Sequence, residues 1–535
     1  MSVLASLACR IDDFLNPIVV KELRQAVRSR FVSGILMLLL LIQLAVVSVA
    51  VMFSSADTAT FSEGRQINAI IYGVMLFSCI LFVPMYAGVR LAWERSETQM
   101  DLMYTTTISP GAIVRGKLFG AAVVTALIFG ACMPFMTFTY LLRGVDLPTV
   151  FFLLAIGFVE VMAAVQFAIF IACVPTSRLF KVLLGLVALV CLWVWAGMCA
   201  AGLPQMLFGS SMIYGGLDWW SITLTLLGFT LLGIGLMYVL SVALISPPSI
   251  DRMRSVRFYL MALWLVSGLI AALWAWSESS WTPWEFWANA WAFSLAMLFP
   301  ISLSERETWG PRIRRNLPRS LLGRAVAMLF TTGSVGSFFW VALMCLLTWA
   351  AYTVVTAAFQ AHGVCHGPVS LDVSPIVIGI TLYGMAYGLT AVLLRKLAGL
   401  VKLNIPVGYT WLIAYLMITL GSLAPYLICF FFYYNEGPAV VFQDRPWIVT
   451  APIMLVQREY RTVRLIVAAF WAIGAFVAVA PWLLRQVAAF RREEPVAAAA
   501  APAVAPAVAP SDALRGGSPD PPRDVAPPAA PPVNP

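Results

Sequence analysis

Three short stretches of the sequence carry residue types that could do chemistry. The first, GAIVRGKL from Gly111 to Leu118, differs at its last position from the glycine-rich loop that cradles nucleotide phosphates. Such a loop joins a buried strand to a helix and supplies a Ser or Thr hydroxyl to magnesium directly after the lysine. Here Leu118 stands in that position, Pro110 precedes the stretch and a long apolar run follows it. We therefore expect no nucleotide site in this segment.

The second stretch contains Glu160 and Gln166, near the middle of another apolar run. A carboxylate inside a membrane is energetically costly and by default indicates a proton relay or a polar conduit. A single protonated glutamate that is hydrogen-bonded to a neighbouring helix is a sufficient structural account as well. Both interpretations stay open, and the pair is a candidate intramembrane polar site.

The third stretch is HGVCH, which holds both histidines of the chain, His362 and His366, beside Cys365. These donors suit a soft metal ion, but they lie close together in sequence with no carboxylate nearby. We therefore expect no metal site. Because no nucleophile elbow, zinc-protease pattern or pair of catalytic carboxylates occurs elsewhere, we also expect no active site and no cofactor bound by this chain.

The elements that must position these residues are membrane spans. Hydrophobic residues make up 61% of the 535 residues and charged residues 11%, and the mean hydropathy is +0.89. A span needs about 20 mainly apolar residues, and the apolar runs are continuous instead of alternating, which excludes a β-barrel. The sequence predicts an all-α polytopic membrane protein with about twelve spans. They are predicted at 31–53, 69–93, 117–142, 149–174, 179–203, 220–246, 257–277, 286–303, 336–358, 374–395, 405–432 and 465–487.

The distribution of basic residues predicts the topology. Lys and Arg resist translocation, and most of the 34 in this chain fall on one side if both termini are cytoplasmic. The exceptions crowd the last outer loop, where Arg445, Arg458, Arg461 and Arg464 lie. We expect a multi-pass protein of the plasma membrane, bacterial inner membrane in type. The net charge of +9 is a topology signal, so no nucleic acid partner is expected.

Two segments on the predicted cytoplasmic side differ from simple loops. The first is a predicted amphipathic helix within residues 12–30, lying in the interface with its apolar side toward membrane lipid. The alternative is a basic flank that only orients span one. Its apolar positions are Val19, Leu23 and Val27, and its cations are Lys21, Arg24 and Arg28.

The second segment, 94–117, starts with charges and then mixes apolar residues with threonines. A loop with apolar residues at helical spacing indicates a surface that docks a partner. A helical turn packed on the protein's own spans is the alternative.

The chain divides into four predicted regions. A cytoplasmic N-terminus (1–30) precedes a six-span domain (31–246) and a second six-span domain (247–487), and an Ala/Pro-rich tail (488–535) is predicted to be disordered. The second domain partly repeats the first, because Glu305-Arg306 follows its second span as Glu94-Arg95 follows span two. Two halves of parallel topology fit this recurrence, and so does chance or convergent loop chemistry.

A family resemblance joins the two cytoplasmic segments. NPIVVKELRQAVRSRF at 16–31 is similar to the N-terminal elbow segment of permease subunits in type-2 ATP-binding cassette (ABC) transporters. ERSETQMDLMYTTTISPGAIVRGK at 94–117 resembles the loop after their second span, with its Glu-Arg start and Ser-Pro-x-x-Ile/Val-x-x-Gly-Lys ending. The resemblance covers residues 12 to about 246. Typical members have six spans and pair as dimers, so the second half is either a fused, diverged permease or an accessory to a homodimer.

The resemblance implies that the chain is the permease subunit of an exporter. Its residues 94–110 would form a coupling helix. This helix would dock on a separate ATP-binding cassette subunit, which would hold the ATP and magnesium. The residues expected to contact that partner are Glu94, Arg95, Glu97, Asp101 and Leu102, and Lys117 is expected to hold the helix end at the interface.

Three other classes compete with this interpretation. An ion-coupled secondary carrier would need more intramembrane ionisable groups than this chain has. A membrane enzyme would show Asp, Glu or His clustered at one interface, and the chain has two histidines. A non-transporting scaffold is compatible with the sequence.

Overall fold

The computed structural model describes residues 17–53, 61–94, 109–141, 145–175, 178–209, 217–247, 250–364, 373–432 and 461–491. Within these ranges the chain is helical and contains no strand. The helices are α1 Pro17–Val27, α2 Arg30–Phe53, α3 Phe61–Glu94, α4 Pro110–Leu141, α5 Leu147–Cys173, α6 Arg178–Gly209, α7 Leu217–Ile245, α8 Met253–Glu278, α9 Thr282–Leu303, α10 Pro311–Arg315, α11 Leu321–Phe330, α12 Ser334–Ala361, α13 Val373–Leu400, α14 Thr410–Phe432 and α15 Arg461–Ala489.

The helix lengths and compositions confirm an all-α polytopic membrane protein. Among the described residues, 11 helices are long and apolar enough to cross a membrane, and each coincides with one predicted span. The remaining prediction, 405–432, coincides with α14, and a shorter apolar helical stretch, Val407–Leu423, overlaps the first part of α14. Each helix makes its backbone hydrogen bonds internally. A lipid environment requires this because it offers the backbone no other hydrogen-bond partners.

The six long helices before residue 250 and the six after it pack in the same order. In both sets the second span packs against the first, third, fourth and fifth spans. The fourth packs against the third, fifth and sixth, and the third contacts the sixth. Each set also has its own core clusters, one centred on α3 and α5 and the others on α9, α12 and α13. Two related halves of parallel topology would show this shared order.

The second and fourth spans of each half approach closely at a small residue. In the first half, a Cβ built on Gly88 of α3 would lie 3.2 Å from the Ala168 backbone of α5. In the second half the glycine is on the fourth span, where a Cβ on Gly384 would lie 2.7 Å from the Ala296 backbone of α9. Small residues allow membrane helices to pack backbone against backbone. The same pair of spans therefore packs closely at a small residue in both halves.

A tyrosine joins the two halves where α7 packs against α8. The Tyr259 hydroxyl donates to the Leu232 carbonyl at 2.8 Å. Its ring occupies a notch beside Gly235, where a Cβ would lie 2.1 Å from the hydroxyl oxygen. Only glycine leaves room for the tyrosine at this position.

Several predicted boundaries shift. The N-terminal amphipathic helix, predicted within residues 12–30, is α1, which starts at Pro17. Arg461 and Arg464, which the sequence placed in the last outer loop, lie in the first turn of α15 and are 7% and 0% exposed. Arg445, Arg458 and the predicted tail beyond 491 lie outside the described residues.

Candidate functional site at the elbow end

The end of the helix bundle at which α1 lies, here called the elbow end, holds a buried group of charges centred on Lys117. The Lys117 ammonium lies 2.8 Å from a Glu22 carboxylate oxygen of α1 and 2.7 Å from a Glu94 oxygen of α3. The Lys117 side chain is 4% exposed. One lysine of α4 therefore joins the amphipathic helix to the end of span two.

Two further cations surround these carboxylates. Arg90 lies 3.6 Å from Glu22 and 3.8 Å from Glu94, and Lys21 lies 3.5 Å from Glu94. We call Lys21, Glu22, Arg90, Glu94 and Lys117 the elbow cluster. Removing one partner of a buried ion pair leaves the other charge uncompensated, which costs far more than the intact pair contributes. The cluster therefore fixes the relative positions of three helix ends.

The local sequence explains why Glu22 reaches Lys117. Val19, Glu22 and Ala26 recur every three or four residues, so they share one face of α1, and all three are buried. That face packs on α4, where Gly120 lies beneath Glu22. The predicted cations Lys21, Arg24 and Arg28 are exposed. Val19, which the pattern assigned to the lipid-facing side, instead packs against protein.

The structure brings together some of the predicted partner-docking residues. Glu94 and Lys117 are in direct contact. Arg95, Glu97, Asp101 and Leu102 lie outside the described residues, so their docking role stays a prediction. Sequence reasoning missed Glu22 and Arg90 as partners of Lys117. The signal for Glu22 was its position between Val19 and Ala26 on one helical face.

The nucleotide-loop-like stretch is helical. Residues from Pro110 onward belong to α4, so the amides after the first turn bond within the helix and cannot cup a phosphate. The Arg115 guanidinium donates to the Tyr238 hydroxyl of α7 at 3.1 Å. This stretch therefore ties α4 to α7 at the elbow end.

An apolar cavity of about 380 Å³ lies on the other side of α3 from the elbow cluster. It is an open pocket lined by α3, α5 and α6, and Val89 and Trp93 of α3 line it within a few residues of Arg90 and Glu94. Cavities of this size can hold a small ligand or part of a larger one. A movement of α3 would change both the cluster and the cavity.

The structure places the two intramembrane polar residues in separate contacts. Glu160 accepts hydrogen bonds from the Trp195 indole at 3.1 Å and from the Thr230 hydroxyl at 3.3 Å. Gln166 donates to the Ser241 hydroxyl at 3.2 Å. These contacts connect α5 to α6 and α7.

The second half has its own charge cluster at the elbow end, here called the Arg257 cluster. The Arg257 guanidinium lies 2.9 Å from Glu305 and donates to the Leu329 and Thr331 carbonyls at 2.6 and 2.8 Å. The Gly333 amide donates to Glu305 at 2.8 Å. Burial raises the pKa of the Glu305 carboxyl above its ordinary value, and Arg257 and the hydrogen bonds oppose this rise. The cluster joins the end of α9 and the end of α11 to the start of α8.

The HGVCH stretch begins at the end of α12, where His362 follows the last helical residue. Cys365 and His366 lie outside the described residues. In the part of the chain that the structure covers, no three His, Cys, Asp or Glu side chains group to hold a metal ion.

Fold and site together define a class: an all-α polytopic membrane protein with paired charge clusters at one end of its helix bundle. No family model matches the sequence, and no curated protein or solved structure is significantly similar to it. The resemblance to type-2 ABC permeases therefore rests on the two cytoplasmic motifs.

Proposed function

We propose that this chain is the membrane-spanning permease subunit of an ABC transporter, an exporter in type. A separate subunit would hydrolyse ATP and dock on the segment between α3 and α4. The observation that best supports this proposal is the double ion pair of Lys117 with Glu22 and Glu94. This double ion pair holds the end of α3 close to the first turns of α4. The proposed coupling segment, 95–108, connects these two helices in the chain.

The double ion pair would transmit a displacement of that segment into the spans. Glu94 ends α3 and Lys117 lies two turns into α4, so a partner that pulls on 95–108 moves both helices and, through Glu22, α1 as well. Buried ion pairs resist separation because each unpaired charge would be desolvated. The end of α3, the first turns of α4 and the helix α1 would therefore move together as one unit.

The α3 helix would carry this movement to the substrate path. Its Arg90 and Glu94 belong to the elbow cluster, whereas Val89 and Trp93 line the cavity between α3, α5 and α6. Nucleotide binding to the partner would favour one position of α3, and the cavity would open or close accordingly. A ligand shifts such an equilibrium only when it binds one state more tightly than the other.

The experiment is affinity purification of the full chain from membranes in mild detergent, followed by measurement of co-purifying ATP hydrolysis. We expect the wild-type complex to hydrolyse ATP, and replacement of 95–108 by a Gly/Ser linker of equal length to abolish this. The double substitution Glu97→Arg with Asp101→Arg tests docking without touching the elbow cluster. Glu94 is unsuitable for this test, since it contacts Lys117.

A matched control is Lys402→Glu, which reverses an exposed charge at the same end of the bundle. The control is expected to retain the ATP-hydrolysing subunit. All variants are compared by gel filtration to show that they insert and fold alike. Equal ATP hydrolysis in the linker variant and the wild type, or hydrolysis by the chain purified alone, would contradict the proposal.

A further inference from the structure

A polar cleft of about 360 Å³ opens at the elbow end of the second half, and we call it the α13 cleft. Its charged lining consists of Arg395 and Lys396, near the end of α13, and Glu307, which follows α9. Asn404 contributes an amide and Trp482 of α15 an aromatic wall. Four separate segments thus converge on one opening.

The cleft carries surplus positive charge. Arg395 is 7% exposed and pairs with Glu307, which is the single carboxylate in this lining. Lys396 forms no ion pair with any described residue, and its ammonium lies 4.3 Å from the centre of the Trp482 ring. Arg485 adds a third positive charge close to Lys396. An anion that enters the cleft would meet an uncompensated lysine.

Exposed apolar side chains flank the cleft. Leu400, Val401 and Leu403 are 80%, 81% and 61% exposed, and they lie between Lys396 and Asn404 in the chain. Water would not favour three such side chains in one turn. Apolar groups next to cations are typical of a segment that lies at a membrane interface and meets anionic headgroups.

We propose that the α13 cleft binds the phosphate of an anionic phospholipid in the leaflet at the elbow end. Lys396 and Arg395 would contact the phosphate, Asn404 would bind the polar headgroup, and the acyl chains would lie beside Leu400 and Leu403. The lipid would bridge α13 and α15, which both line the cleft. This inference is independent of the proposed transport function.

The test uses the full chain, delipidated in neutral detergent, with thermal unfolding followed by tryptophan fluorescence. The probes are phosphatidylglycerol, phosphatidylcholine and soluble glycerol phosphate. We expect phosphatidylglycerol to raise the unfolding temperature in a saturable manner, with little effect of the other two. Equal stabilisation by phosphatidylcholine would overturn the charge basis of the site, and equal stabilisation by glycerol phosphate would overturn the assignment to lipid.

Variants locate the effect in the cleft. Lys396→Gln should weaken the apparent affinity for phosphatidylglycerol about fivefold, as expected for one basic residue near an anionic surface. Lys396→Arg, which keeps the charge, should retain the affinity. Arg254→Gln is the control, because this arginine is exposed at the same end of the bundle but lies outside the cleft and its flanking apolar segment. An unchanged affinity in Lys396→Gln, or an equal loss in the control, would reject the site.

Discussion

The two charge clusters at the elbow end occupy corresponding places in the two halves but are built differently. In the elbow cluster, side chains from three helices meet, and two cations surround the carboxylates besides Lys117. In the Arg257 cluster, one arginine is held by a carboxylate and by two backbone carbonyls at the end of α11, those of Leu329 and Thr331. The first cluster therefore joins helices through side chains alone, whereas the second fastens the end of α11 to α8 through backbone carbonyls.

This difference bears on how each cluster can respond to force. Side-chain ion pairs among helix ends can exchange partners, since Arg90 lies within 4 Å of both carboxylates. The backbone carbonyls of Leu329 and Thr331 cannot move without displacing the end of α11 that carries them. We infer that the first half is arranged to transmit movement at this end and the second half to resist it.

The largest expected effect is at Arg257. Arg257→Gln would leave Glu305 buried without its counter-ion and would leave two carbonyls without their donor, so we expect a loss of about 3–5 kcal/mol. Thermal unfolding in detergent measures this. Arg254→Gln, on the same helix but exposed, is the control. If both variants unfold at the same temperature, the Arg257 cluster does not stabilise the second half.

Lys117→Met should have a smaller effect, at or below about 3 kcal/mol, because Arg90 still lies 3.6 Å from Glu22. The double variant Lys117→Met with Glu22→Gln should recover part of the loss, since it also removes the buried carboxylate. The same unfolding assay applies. Strictly additive losses would show that Lys117 and Glu22 are not energetically coupled.

The close packing of the second and fourth spans extends the comparison into the membrane. Gly384→Ala places a Cβ 2.7 Å from the Ala296 backbone, and overpacking of this kind costs about 1–3 kcal/mol. Gly88→Ala meets the Ala168 backbone at 3.2 Å and should cost less. Unfolding temperatures of the two variants give the comparison directly. A larger loss at Gly88 would contradict the closer approach of the second and fourth spans in the second half.

The smallest effect is expected at Lys21, whose side chain is 55% exposed beside Glu94 at 3.5 Å. Solvent screens this pair, so Lys21→Gln should change the stability by less than about 0.5 kcal/mol. High salt should reduce the difference between variant and wild type still further, because it screens the exposed pair. If Lys21→Gln lost as much stability as Lys117→Met, the exposed Lys21 would contribute as much to the elbow cluster as the buried Lys117 does.

The sequence predicts where the membrane spans lie better than it predicts which side chains contact one another. Continuous apolar runs are long enough to mark nearly every span, and basic residues mark the predicted cytoplasmic loops. Lys117 could be placed at a helix end because Pro110 starts the helix before it. The part of the docking prediction that depends on 95–108 stays a prediction.

The contacts of charged side chains could not be read in the same way. Glu22 is one of several charges in a basic segment, and only the packing of α1 on α4 shows that it is buried. Arg257 lies in a run of basic residues that predicts topology equally well without any cluster. Arg461 and Arg464 were assigned to a loop because a buried arginine at the start of a span has no apolar signature.

The Tyr259 ring beside Gly235 has a mechanical consequence for the junction of the halves. Because the Tyr259 ring of α8 fits against Gly235 of α7, neither helix can slide along the other by a turn unless the ring leaves this position. The junction therefore opposes translation of one helix along the other.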